Sequence, residues 1–242
     1  MSLDLGSYLL GKSKGGGGQP NLQSKSITIT ENGTSNVTPD TGYDGLSQVN
    51  VTTNVPGAST IQINDCTRLF FGNIRRYEYA TLLPICKPTT CERMFQDSSL
   101  FYNANFANLA YLDTRNCTKF NQMFYNCYGL TTVDFSGFTN FDTSRALDIQ
   151  SMFLNCSGLT SINISNFVTS SCNYFGQMFS GCTSLQHLDM RNMTFENYSN
   201  GNNMFNNVPA GCEIIVKSQT EKDFILANIR SDLTNIKTVA EL

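Results

Sequence analysis

Met123-Phe124-Tyr125-Asn126-Cys127-Tyr128-Gly129-Leu130-Thr131-Thr132-Val133-Asp134-Phe135 is the stretch on which the fold turns. Its opening dipeptide returns at Met94-Phe95, Met152-Phe153, Met178-Phe179 and Met204-Phe205, at steps of 29, 29, 26 and 26 residues. A period of that size marks an array of stacked supersecondary units and excludes most compact folds.

Counted from each methionine of the three central repeats, position +4 is Cys127, Cys156 and Cys182, and +7 is Leu130, Leu159 and Leu185. Position +10 is Val133, Ile162 and Leu188; +12 is Phe135, Ile164 and Met190; +15 is Phe138, Phe167 and Met193. One repeat cannot bury its own apolar side, but stacked neighbours can, so these columns predict one continuous core. Each large apolar side chain taken from water stabilises by roughly 1.5–3 kcal/mol.

Positions +10 and +12 bracket Asp134, Asn163 or Asp189, the period-2 signature of a short strand with one face inward. The strands should form a parallel ladder whose exposed face carries Thr132 with Asp134, Ser161 with Asn163, and His187 with Asp189. Polar strand faces are common as plain solvated surface; as a site, this strip would suit a glycan or a protein loop. The +4 cysteines read as buried, reduced thiols, since free cysteine packs as a small hydrophobe. Ser98 and Val208 at the same offset in the first and last repeats argue against a metal or redox role.

The motif MFxxCxxLxxVDF at Met123–Phe135 resembles the BspA-type leucine-rich repeat, and the similarity covers roughly Thr60 to the end. Members of that family occur on surface proteins of bacteria and protists and in phage structural genes. The first unit departs from the pattern, because the stretch Phe101 to Ala110 breaks the strand spacing. Phe101, Tyr102 and Phe106 are expected to form an opening cap or a protruding loop. The fold class read here is α/β to mostly β: a leucine-rich-repeat solenoid over 59–212 with short parallel strands.

An open solenoid must shield its end turns. After the last Met-Phe the repeat gives way to Val208-Pro209 and an apolar strand from Glu213 to Val216. Ser218 and Glu221 then stand in capping-box spacing before a short helix over Lys222 to Arg230. Phe224, Ile225 and Ile229 would lie over the final repeat, making 213–242 a strand-helix cap. The run Arg230-Ser-Asp-Leu-Thr-Asn also resembles C-terminal caps of phage-encoded members of the family.

Residues 21–58 read as a small β-module. Ile27 and Ile29, then Val37, then Val49 and Val51 alternate around the turn signals Asn32-Gly33 and Gly42-Tyr43-Asp44-Gly45. Asn-Gly between alternating strands predicts a hairpin. The run is similar to a β-module of phage tail and baseplate-associated proteins. Residues 1–20 precede it as an apolar peptide and a glycine spacer, Gly15 to Gly18. Leu3, Leu5, Tyr8, Leu9 and Leu10 are too few to span a membrane, and are expected to dock onto another virion protein. Gly6-Ser-Tyr-Leu-Leu-Gly11-Lys12-Ser13 matches the phosphate-loop pattern by letter. It lacks the preceding buried strand and following helix that make such a loop bind phosphate.

Charged residues make up 14% of the chain and the net charge is −3, so no broad basic field exists to attract nucleic acid. Neither a signal-peptide pattern nor a bilayer-length apolar run is present, which predicts synthesis in a host cytoplasm and no membrane span. Nine cysteines cannot all pair within one chain, and their spacing does not suit zinc. With His187 the single histidine, pointing away from the inward Cys182, no nucleophile-base pair is expected, and no cofactor. The expected function is therefore non-enzymatic: a bacteriophage tail, fibre or head-decoration protein that ends up in the virion. Its N-terminus would hold other virion proteins and its repeats a bacterial surface glycan or protein. A homo-oligomer, with a trimer favoured, is what fibre-like phage proteins imply, although no heptad repeat supports a coiled coil. The alternative is a bacterial cell-surface adhesin of the same repeat family, which would require export and anchoring.

Overall fold

The computed structural model describes residues 86–98, 109–110, 112–199 and 202–242, together with the backbone of strands within 24–65; the Cys86 side chain is excluded. The docking peptide with Leu3, Leu5, Tyr8, Leu9 and Leu10, the glycine spacer, the phosphate-loop look-alike and Phe101, Tyr102 and Phe106 lie outside the described residues.

The repeats build a mostly β, parallel solenoid. Strands β6 (Thr132–Asp134), β7 (Ser161–Asn163), β8 (His187–Asp189), β9 (Glu213–Val216) and β10 (Ile236–Thr238) form one five-stranded sheet in the order β10-β9-β8-β7-β6. Every pair is parallel, with Val133 opposite Ile162, Ile162 opposite Leu188, and Leu188 opposite Ile214. Those four residues are the inward members of the alternation and all are buried. A second, thinner ladder of parallel bridges runs Thr90, Lys119, Asp148, Tyr174 on another side of the coil.

The Met-Phe segments make a third ladder. The residue before each methionine, the phenylalanine and the residue two beyond it donate their N–H groups to the next turn. Arg93, Phe95 and Asp97 bond the carbonyls of Asn121, Met123 and Tyr125, and the same triplet recurs from Gln122, Ser151 and Gln177 onward. These twelve bonds measure between 2.8 and 3.1 Å. To aim alternate amides the same way, the chain adopts positive φ at Gln122 and Asn126, Ser151 and Asn155, and Gln177 and Gly181. Asparagine tolerates that region better than most residues, and its side chains add rungs. Asn126 Nδ2 donates to Asp97 Oδ1 at 2.6 Å, and Asn155 Nδ2 to Asn126 Oδ1 at 3.2 Å.

Inside, Phe95, Phe124, Phe153, Phe179 and Phe205 stack nearly parallel, with centroids 5.5, 5.4, 5.9 and 5.7 Å apart. The seven described cysteines are free and buried. Each +4 thiol donates to the phenylalanine carbonyl one turn back: Cys127 to Phe95 at 3.2 Å, Cys156 to Phe124 at 3.0 Å and Cys182 to Phe153 at 3.3 Å. The column is thus more than filler, because each neutral thiol adds a second donor to a buried carbonyl that already accepts a backbone amide of its own turn. Thr114, Thr143 and Thr169 form another buried column; the Thr143 hydroxyl donates to Val168 O and accepts from Val168 N. The longer repeats carry three extra residues between this threonine and the +15 position. In one of them Phe141 turns inward, 4.5 Å from Phe135 between ring centroids, so the insertion adds core volume rather than a loop.

The cap differs in detail from its sequence reading. Helix α1 spans Gln219–Asn228, starting three residues earlier than expected, because Ser218 is its N-cap and accepts from Thr220 N. The Ser218 hydroxyl donates to Glu221 Oε2 at 2.7 Å, so the expected spacing is used, without the reciprocal box. Ile225 is buried, and Phe224 stacks on Phe195, a residue of the Met178 repeat, at 5.1 Å. Strand β10 was not foreseen; three residues carry too little pattern until they pair with β9.

The hairpin expected at Asn32-Gly33 is not what the backbone shows. Strand β1 (Ser24–Ile29) pairs in parallel with β3 (Gln48–Thr53), while β2 (Thr34–Ser35) joins a parallel sheet with β4 (Gln62–Asp65) and β5 (Cys86–Thr90). Six residue pairs link β1 to β3, setting Ile27 opposite Val51, whereas β2 has only two residues to offer. The longer ladder outweighs the local turn signal.

Candidate functional site

The strand face holds five of its six expected residues at or near the surface. Thr132 and Asp134 are exposed, and Ser161, Asn163 and His187 are half-buried. Asp189 is the correction: it is only 4% exposed. Arg191, two residues on, folds back over it, with Nε 3.0 Å from both carboxylate oxygens, and so takes its ligand-binding capacity.

The whole +11 column shares a structural duty that the alternation could not reveal. Asp134 Oδ1 accepts from Ser136 N at 2.9 Å, Asn163 Oδ1 from Ser165 N at 3.0 Å, and Asp189 Oδ1 from Arg191 N at 3.2 Å. These are Asx turns that end each strand and swing the chain around the corner. One lone pair on each of these side chains is thus committed to the fold. The +9 column, Thr132, Ser161 and His187, lies in register along the same face.

That line continues where the sequence reading stopped. His187 Nδ1 lies 2.7 Å from Glu213 Oε2, and Lys237 Nζ reaches the other Glu213 oxygen. The two donors, Lys237 first and His187 second, hold the Glu213 carboxyl below its ordinary value. An ionised Glu213 requires the proton on His187 Nδ1 in this contact. The face therefore grades from small hydroxyls at Thr132 and Ser161 to a mixed-charge cluster at the capped end. Glu213 was legible as strand and Lys237 as tail, but only the pairing of β8, β9 and β10 brings them to His187.

Burial drives the thiols away from reactivity. Cys172 and Cys182 are pushed up to about 12 and Cys212 to about 11, while Cys127 and Cys156 rise further, all chiefly through desolvation. A thiol so raised is neither nucleophile nor metal ligand near neutral pH. Among the described residues, no group of three or more His, Cys, Asp or Glu is arranged to hold a metal ion, and no helix is long and apolar enough to cross a membrane.

Residues 89–216, more than half of the chain, match the family described as "Mycoplasma protein of unknown function, DUF285". The chain belongs to the DUF285 family. The matched span opens in β5 and closes at the end of β9, so the DUF285 unit comprises the stacked turns, including His187 and Glu213. DUF285 membership and the parallel solenoid are compatible with a BspA-type repeat protein. No curated protein and no solved structure matches the chain.

Proposed function

We propose that this chain is a non-enzymatic bacteriophage structural protein, a tail, fibre or head-decoration component, whose solenoid presents a surface for host-cell adhesion. The observation that carries the adhesive part is the in-register line Thr132, Ser161, His187, repeated at the strand spacing of about 4.8 Å on a rigid coil. Such a line offers a row of similar weak contacts to a glycan or a protein loop, and many copies on one particle multiply them. The phage part is supported by the resemblance of residues 21–58 to a tail-associated module. Leu3, Leu5, Tyr8, Leu9 and Leu10 would then dock the chain onto other virion proteins.

Two variants of the full chain test the reading against the virions and host cells of the encoding genome. Replacing Leu5, Tyr8 and Leu9 by serine should abolish incorporation into virions and leave cell binding intact. Changing Thr132 and Ser161 to arginine should do the reverse. Cell binding by wild type with no association to virions would favour the bacterial adhesin; loss of neither activity in its matching variant would refute both assignments.

A further inference from the structure

The thinner ladder of parallel bridges carries an outward column unlike those inside the coil. Inward positions repeat one residue type, as Cys127, Cys156 and Cys182 do, because each must fill the same gap from turn to turn. The column Thr90, Lys119, Asp148, Tyr174 repeats nothing, so stacking does not dictate its residues. Its members follow one another at the rung spacing of about 4.8 Å. Lys119 and Tyr174 are exposed and Asp148 is half-buried. Leu147, just before Asp148, accepts from Asn173 N through its carbonyl, which sets it diagonally across the rung from Tyr174. Leu147 and Tyr174 are each 46% exposed, so an apolar pair stands open beside the carboxylate.

Asp148 Oδ1 accepts from Gln150 N at 2.9 Å, an Asx turn like those that end the main strands. Its Oδ2 has no hydrogen-bond partner among the described residues. Burial lifts this carboxyl above its ordinary value; Glu92 adds to the effect, and the Gln150 amide and Lys119 offset it only in part. Among the described residues Lys119 makes no ion pair, although it is the next member of the column. A carboxylate drawn partly out of water, with one oxygen unserved, gains from a hydroxyl brought to it through a short charge-assisted bond. A charged partner does poorly here. An ammonium that reaches Asp148 also meets Lys119, and a carboxylate that reaches Lys119 also meets Asp148 and Glu92. A neutral polyol serves both groups, donating one hydroxyl to Asp148 and accepting from Lys119 with another.

We propose that Lys119, Leu147, Asp148 and Tyr174 form a binding site for a neutral hexopyranose, the C–H face of the sugar resting on Tyr174 and Leu147 and its hydroxyls on Asp148 and Lys119. A pyranose joins an apolar face to a rim of hydroxyls, and this surface is apolar on one side and polar on the other. The tyrosine supplies a large rigid contact at low conformational-entropy cost. The site lies on another side of the coil from Thr132, Ser161 and His187, so it stands whether or not the strand face adheres.

The test titrates the ¹⁵N-labelled full chain with the methyl pyranosides of glucose, mannose and galactose, and with methyl glucuronoside as the charged control. At least one neutral glycoside should bind with a dissociation constant on the order of millimolar and shift the Asp148 and Tyr174 amides, leaving those of Ser161 and His187 in place. Asp148→Asn keeps the turn, as Asn163 does for Ser165, and should weaken that glycoside at least about tenfold without lowering the melting temperature. Tyr174→Ala, at an exposed position, should weaken it at least about tenfold as well. Binding of no neutral glycoside overturns the proposal, as does wild-type affinity in either variant. Tighter binding of the glucuronoside overturns it by marking an ion site, and shifts confined to Ser161 and His187 do so by assigning the sugar to the strand face.

Discussion

Phe153→Ala removes the middle ring of the stack. Phe153 is fully buried, with its centroid 5.4 Å from Phe124, 5.9 Å from Phe179 and 6.4 Å from Phe135. Truncating a buried phenylalanine to alanine costs about 3–5 kcal/mol, which includes the cavity left behind. The upper half of that range applies here, because two ring faces lose partners and each aromatic pair contributes about 0.5–1.5 kcal/mol beyond area. Among the described residues Phe205 stacks on Phe179 alone, at 5.7 Å, so Phe205→Ala should cost less by roughly 1 kcal/mol. The two variants should also differ in kind. A solenoid is coupled turn to turn, so a central gap lets the two halves unfold separately and lowers the apparent denaturant slope, whereas an end gap does not. Urea unfolding followed by circular dichroism and tyrosine fluorescence measures both quantities; the chain has no tryptophan. Phe153→Leu should lose less than about 1.5 kcal/mol if volume is what matters. A loss below about 1 kcal/mol for Phe153→Ala, or a larger loss for Phe205→Ala, would refute the stacked-core account.

The thiols make stability fall in alkali. The folded values of Cys127, Cys156, Cys172, Cys182 and Cys212 lie above the ordinary 9.0, about 12 for Cys182, so their stabilisation is complete below pH 9 and is lost as pH rises toward the folded value. Each pH step beyond 9 should remove about 1.4 kcal/mol for each of these thiols, and a urea midpoint that stays flat from pH 8 to 10 would contradict this. Gly158→Ala places a methyl 2.4 Å from Tyr128 O and 2.9 Å from Leu130 O, both backbone atoms, and should destabilise by about 1–3 kcal/mol or more. Gly137→Ala meets nothing within 4 Å and should leave the melting temperature unchanged or slightly raised. At Asn155, where φ is 60°, glycine should be tolerated better than alanine by about 1 kcal/mol in thermal unfolding. The reverse order would mean that the side-chain rung to Asn126, not the backbone, sets the residue choice.

The apolar columns were legible because burial acts on each repeat separately: Val133, Ile162 and Leu188 had to face inward wherever the strands lay. The same logic located β6, β7 and β8 and the inward cysteines. It misjudged Asp189, since alternation reports which way a side chain leaves the strand and not what folds over it afterward. Here Arg191, two residues on, covers it. The Thr114, Thr143 and Thr169 column was missed for a related reason. Threonine reads as surface, yet each hydroxyl serves both a donor and an acceptor across the gap between turns. Strand β10, the β1–β3 pairing and the Lys237 contact to Glu213 join segments whose own patterns are too short to name their partners.

By itself the sequence determined the period and the inward columns, because each follows from how one repeat's side chains partition between water and core. Tertiary structure decided what the backbone does between repeats. It set which amide meets which carbonyl and, among the described residues, which three amides at the final turn are left without one. Those outcomes depend on the turn stacked above or below, and a hydrogen bond across turns leaves no mark in the residues of either one alone.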